Sequence, residues 1–247
     1  MISTKRVLQK LDEFLGKNDY DSAEKHLLYW AQEASAVNDN NCLLALLNEL
    51  AGLYRKLSRK DDAFAMVDKL IALVDKMGIW QNVGTGTTYV NCATVYKAFG
   101  KAELSMPLFE KALNIYKNEL DPCDKRFGGL YNNMALALVD LKRFDDAYSY
   151  YQKAISVMKN VKDGDLEVAI TYLNIASAKE AELGLENSEN VIGEYLDKAI
   201  LLLDGHADRG GYYAFVCDKC ASVFGYYGYF FYENELQKRA REIYERS

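Results

Sequence analysis

The sequence predicts an all-α array of about six stacked helix pairs, and three observations carry that expectation. Segments starting "TYVNCATVYKAFGKAEL" at 88, "LYNNMALALVDLKRFDD" at 130 and "TYLNIASAKEAELGLEN" at 171 fall into register, with Tyr89, Tyr131 and Tyr172 separated by 42 and 41 residues. An interval of 19 residues joins an early core slot to a late one in most copies: Leu11 to Trp30, Ala51 to Leu70, Ala93 to Ala112, Ala135 to Ala154 and Ala221 to Ala240. Only two prolines, Pro107 and Pro122, interrupt the chain, and apolar residues recur three and four apart, the period of a helix with one buried stripe. Two short helices cannot bury both faces alone, so such copies must stack.

The copies fall at about 1–38, 39–80, 81–122, 123–163, 164–206 and 207–247, one array over the whole chain. In the first, Leu11 leads to Ala23-x3-Leu27-x2-Trp30. The second reads Leu47-x2-Leu50-Ala51-x2-Tyr54, then Ala63-x3-Val67-x2-Leu70. The third reads Tyr89-x2-Cys92-Ala93-x2-Tyr96, then Ser105-x3-Phe109-x2-Ala112. The fourth reads Tyr131-x2-Met134-Ala135-x2-Leu138, then Ala147-x3-Tyr151-x2-Ala154. Alanine at the tightest contact lets paired helices approach closely. The fifth copy spans 23 residues, Ala176 to Ala199, and its four additional residues are expected in the turn near "GLENSEN". The sixth reads Cys217-x2-Cys220-Ala221-x2-Phe224, and its Glu233 and Gln237 suit a polar capping helix.

The connections carry their own signals. "RKDDA" at 59–63 and "RFDDA" at 143–147 lead into second helices, where carboxylates favour the helix N-terminus. "GTGTT" at 84–88 is expected in a loop, with a helix starting at Thr87 or Thr88. Pro122 marks a break after a helix longer by about a turn. Gly228 falls in a turn that matches Gly100.

These patterns resemble the tetratricopeptide repeat, whose first helix reads W-x2-L-G-x2-Y and whose second carries A-x3-F. The period here exceeds the family's usual value of about 34 residues. The phrases "DLEVAITYLNIA" and "FGGLYNNMA" are similar to the longer-period repeats of kinesin light chains and related bacterial proteins. The resemblance covers nearly the whole chain. It implies a right-handed superhelical solenoid whose first helices line a concave groove, acting as a protein- or peptide-binding scaffold and not as an enzyme. A sensor of short peptides acting through another protein is the alternative it implies, and an enzyme-like regulator on the same repeats is a more distant one.

One constellation stands out for that groove. Asn91, Asn133 and Asn174 occupy the same slot of three consecutive copies, although asparagine is a mediocre helix former. The resemblance places them in the groove with Asn132, Thr94, Lys97, Leu136, Asp140, Ser177 and Glu180 beside them. A carboxamide both donates and accepts, so a row of them can pair with an extended peptide backbone; the plain alternative is that they bond neighbouring helices or water. Three or four such bonds supply a few kcal/mol at about 0.5–1.5 kcal/mol each, whereas micromolar binding needs about 8 kcal/mol. Other contacts must add the rest. Chaperone-binding relatives clamp a terminal carboxylate with basic residues, but Arg55, Lys56, Lys97 and Lys219 do not surround these asparagines in the sequence register.

Composition excludes several classes. The formal charge of −6, with basic residues scattered, argues against nucleic acid. Five cysteines, an odd number, and a start without an apolar signal core point to reduced thiols in the cytoplasm. No apolar run suits a membrane span; the aromatic stretch "CDKCASVFGYYGYFFY" at 217–232 holds Asp218 and Lys219. Cys217 and Cys220 look like zinc or redox ligands until the register places them in core slots, and no second C-x2-C joins them. No metal, cofactor or catalytic residue is expected: there is no glycine-rich phosphate loop and no nucleophile elbow. The aromatics Tyr226, Tyr227, Tyr229 and Phe230 straddle Gly228 and exceed what one core needs, so they are expected to form a partner surface, with a homodimer as one form of it.

Overall fold

The computed structural model describes residues 2–246, and these form twelve α-helices in six consecutive pairs with no strand among them. In chain order the pairs are α1 (Thr4–Gly16) with α2 (Tyr20–Ala36), α3 (Asn40–Lys56) with α4 (Lys60–Met77), and α5 (Val83–Ala98) with α6 (Ala102–Glu119). They continue with α7 (Lys125–Asp140) and α8 (Phe144–Met158), α9 (Gly164–Leu183) and α10 (Leu185–Gly205), and α11 (Gly211–Tyr226) and α12 (Phe230–Tyr244). The chain divides into two compact units, one up to Leu120 and one from Asp121. Each helix packs on its pair partner, and α2 on α3, α4 on α5 and α8 on α9 join successive pairs within the units. The first helices also touch one another, α3 on α5 in one unit and α7 on α9 and α9 on α11 in the other.

The core follows from the slots. Ala51, Ala63, Val67 and Leu70 are fully buried in the second pair, as are Ala93, Phe109 and Ala112 in the third and Met134, Ala135, Ala147 and Tyr151 in the fourth. Trp30, at the end of the first copy's interval, is only half-buried. Cys217 and Cys220 are fully buried free thiols in the sixth pair's core, beside Ala221, Phe224 and Leu236.

The turns inside the pairs share one device. Asn18, Ser58, Gly100, Lys142, Gly184 and Gly228 each sit at positive φ, between +54° and +81°. A left-handed residue there reverses the chain in the fewest residues, and Gly100 and Gly228 occupy it without a steric penalty. Asp61 and Asp62 lie in the first turn of α4 and Asp145 and Asp146 in that of α8. Arg59 and Arg143 pair with the second aspartate of each, at 2.8 Å from Nε.

Two expectations about the connections need correcting. "GTGTT" is not a loop: α5 starts at Val83 and Asn82 caps it, its Oδ1 accepting from the Thr85 amide at 2.8 Å. Thr85 Oγ1 also donates to the Ile79 carbonyl at 2.6 Å, and Gly86 is needed because a Cβ there would meet Tyr116 at 2.6 Å. The glycine thus marks a close helix contact, not a phosphate cradle. The additional residues of the fifth copy are not in a turn either. Gly184 alone separates α9 from α10, and Ile192 lies seven residues into α10 where Ala147 lies three into α8. The insertion is an added helical turn.

Candidate functional site: amides on the first helices

The helical period puts Asn48, Gly52 and Arg55 of α3 on one face, and Asn91, Thr94 and Ala98 of α5 on the corresponding face of the next first helix. Where these faces meet, Asn91 Nδ2 donates to Asn48 Oδ1 at 2.8 Å. Asn48 Nδ2 in turn donates to Thr88 Oγ1 at 3.1 Å and to the Leu44 carbonyl at 2.8 Å. Thr94 turns back on its own helix, its Oγ1 donating to the Val90 carbonyl at 2.7 Å, and Lys97 is half-buried one turn further on. Toward the C-terminal ends of α3 and α5 a cleft of about 530 Å³ opens, walled by Leu11, Leu53, Ala98 and the charged Glu49, Arg55 and Lys56. Glu49 and Arg55 reach solvent but the cleft surrounds them. Withdrawal from water raises the Glu49 carboxyl above its usual range, with Asp12 adding to it, and lowers the Arg55 guanidinium.

The second unit repeats the arrangement. Asn174 Nδ2 on α9 donates to Asn132 Oδ1 on α7 at 3.2 Å. In both units the amide of one copy meets the residue one slot earlier in the copy before it. The three asparagines singled out by register are therefore not a continuous row of mutual bonds. Asn91 and Asn174 are each paired, with Asn48 and Asn132, while the half-buried side chain of Asn133 makes no hydrogen bond among the described residues. Asn91, Asn132 and Asn174 still have unused N–H groups and lone pairs, because one carboxamide offers two of each, whereas both N–H groups of Asn48 are taken and only a lone pair remains.

Below Asn174 on the same face of α9 lie Ser177, exposed, and Glu180. Two of the aromatics at the C-terminal end of α11 reach back to them. Tyr226 Oη and Tyr227 Oη donate to the two oxygens of Glu180, each at 2.8 Å, and Tyr227 also lies 3.4 Å from Ser177 Oγ. Burial, then the Glu180 carboxylate, hold the Tyr227 phenol above its usual range. The aromatic cluster is thus divided by the fold. Tyr227 and Tyr229 are half-buried, Tyr229 edge-on to Phe224 at 6.4 Å, whereas Tyr226 and Phe230 are 69% and 62% exposed and Phe231 is 75% exposed.

Among the described residues no group of three or more histidine, cysteine or carboxylate side chains could hold a metal ion. His206 is instead locked between Asp165, at 2.8 Å from Nδ1, and the ring of Tyr213 stacked at 5.7 Å. Burial pushes the Cys220 thiol up to about 12 and raises Cys217 as well, the opposite of an activated cysteine. None of the described helices is long and apolar enough to cross a membrane.

The register alone missed Asn48 and the Glu49–Arg55 cleft. In that copy the asparagine slot is filled by Glu49, so Asn48 stands one position early. The usable signal was Asn132, which stands in that same early slot of the fourth copy.

The tetratricopeptide repeat family matches at residues 129–161, from the first turns of α7 to just beyond the end of α8. The match covers one repeat of the array. Its repeats are similar to those of kinesin light chains: over 178 residues, 63% of the chain, it is 28% identical to Protein KINESIN LIGHT CHAIN-RELATED 3 of Arabidopsis thaliana, of which it spans 27%. Among solved structures it is similar to BtubC (BKLC) of P. vanneervenii, with a TM-score of 0.58, 19% identity and coverage of 92% of this chain and 90% of that one. A putative kinesin light chain of Podosopora anserina with nearly identical TPR-like repeats gives 0.55 at 15% identity, covering 81% and 94%. At these identities the two structures speak to the fold. The repeat protein is an all-α solenoid of six helix pairs, an architecture suited to protein interaction.

Proposed function

We propose that this repeat protein is a scaffold that holds an extended segment of a protein partner against the faces of its first helices. The observation that carries the reading is the pairing of amides: Asn48 with Asn91 and Asn132 with Asn174 are held in place by mutual bonds, and Asn91, Asn132 and Asn174 keep further donors and acceptors free. Such groups lose little freedom on binding, which is how preorganised sites gain affinity. The Glu49–Arg55–Lys56 cleft in the first unit, and Ser177 with Glu180 in the second, supply the charge and shape that the amides alone cannot. The work of the protein is binding and not turnover, and free, buried thiols suit a reducing cytoplasm. The exposed Tyr226, Phe230 and Phe231 favour a second contact, self-association through the end of the last pair.

The test is affinity purification of tagged protein from its native cell, with quantitative mass spectrometry. Wild type is compared with an Asn133→Arg, Ser177→Arg variant whose melting is unchanged. Partners lost selectively from the variant support the reading. A partner set that is the same for both overturns it.

A further inference from the structure

A second groove lies on a different face, between the second helices α2 and α4, with α3 as its floor. It has a volume of about 590 Å³. Leu43, Leu47 and Leu50 form the floor, Met66 and Leu73 one wall, and Leu28, 45% exposed, the other. No carboxylate lines it. The only charged side chains in its wall are Lys69 and Lys76, and neither has an ion-pair partner among the described residues. In a chain of net charge −6 that is a local reversal.

The other copies show why this groove is open. Leu47 and Met66 occupy slots filled in the fourth copy by Tyr131 and Tyr150, whose rings pack at 5.8 Å, and in the fifth by Tyr172 and Tyr195, at 5.9 Å. In the third copy Tyr89 stands in the first slot, with the Lys111 ammonium 5.5 Å from its ring. In the sixth the residues are Cys217 and Leu236, both buried in that pair's own core. In the second copy these slots hold two buried aliphatic side chains, and the channel left between α2 and α4 is bordered by the exposed Leu28 on one side and by basic residues on the other.

We infer that this groove is a docking site for an amphipathic helix of a partner protein, with aliphatic residues inserted between α2 and α4 and an acidic flank against Lys69 and Lys76. Helix-in-groove recognition reads anchors at i, i+3 or i+4, and i+7. Lys69 and Lys76 are seven residues apart on one helix, roughly 10 Å along its axis at 1.5 Å per residue. A partner helix lying along α4 therefore meets both lysines with carboxylates spaced by the same two turns. The site is separate from the amide face, so either can fail without the other.

The probe is a fluorescein-labelled helical peptide of about 16 residues, with leucines at i, i+4 and i+7 and glutamates at i+1 and i+8, and a twin with lysines for the glutamates. Fluorescence anisotropy is measured against the full chain. The glutamate peptide is expected to bind in the micromolar range and its twin at least tenfold more weakly. Lys69→Glu with Lys76→Glu is expected to reverse that preference. Leu47→Tyr with Met66→Tyr, which installs the plug of the fourth and fifth copies, is expected to abolish binding of both. Should the tyrosine variant unfold by circular dichroism, the charge-reversal pair decides alone. No binding of the glutamate peptide, equal binding of the twins, or undiminished binding by a folded tyrosine variant overturns the proposal.

Discussion

Asn48→Ala and Asn133→Ala change the same chemical group on first helices of the two units, yet they are expected to behave oppositely. Asn48 loses a donation to Thr88 and an acceptance from Asn91, two bonds between helices, together with one to its own helix. At about 0.5–1.5 kcal/mol per net bond the interhelix pair amounts to about 1–3 kcal/mol. Alanine's better helix propensity returns about half a kcal/mol. Asn133 has no bond to lose among the described residues, so its replacement is expected to fall within about 0.5 kcal/mol of wild type. Urea unfolding followed by circular dichroism measures both, and a double-mutant cycle of Asn48 with Asn91 is expected to give a coupling of about 0.5–1.5 kcal/mol. In binding the order reverses: Asn133→Ala is expected to weaken a partner by up to about tenfold, the value of one net hydrogen bond. A loss of stability from Asn133→Ala equal to that from Asn48→Ala, or a coupling of zero, would refute the assignment of paired and free amides.

Further outcomes test the rest of the structure. Tyr151, fully buried with no hydrogen-bond partner for its hydroxyl among the described residues, stands in the slot that Phe109 fills one copy earlier; Tyr151→Phe is expected to raise stability by about 1 kcal/mol, read as a higher melting temperature. Thiol titration is expected to find one cysteine, the exposed Cys123, reacting at once in the native protein and the buried four only on unfolding, since burial lifts Cys92 and Cys220 to about 12. Tyr54, raised to about 12 by burial and then by its bond to Glu24, favours the folded state while protonated. Its contribution is complete below pH 10 and is lost as pH rises toward about 12, and Tyr54→Phe is expected to flatten stability over that window. Gly164→Ala is expected to cost several degrees of melting temperature, because its Cβ would lie 1.9 Å from the Met158 carbonyl oxygen.

The fold was legible because spacing reports packing directly. A residue such as Ala93 or Ala135 recurs wherever two helices must approach, and the 19-residue interval between core slots counts one helix hairpin. Spacing does not say whether inserted residues wind or loop, which is why the fifth copy's additional turn was misplaced: Gly184 ends α9, but nothing in the count distinguishes a longer helix from a longer turn. "GTGTT" misled for a related reason. Glycine and threonine read as loop, yet Gly86 is there to admit Tyr116 and Thr85 to close the start of α5. The asparagines were legible as a pattern but not as pairs. Adjacent first helices are offset, so an amide meets the earlier copy 42 or 43 residues back, one slot away from its equivalent, and Asn48 has no equivalent in the register of Asn91, Asn133 and Asn174. The groove between α2 and α4 was invisible because it consists of what Leu47 and Met66 fail to fill, and absence of bulk shows only once the neighbouring helices are in place.

Site-specific photo-crosslinking in the native cell tests the central claim most directly. A benzoylphenylalanine is placed at position 133, in the amide face, and separately at position 189, an exposed site on α10. The account predicts discrete protein adducts from 133 that are absent from 189. Adducts from 189 alone, or none from 133, would contradict it.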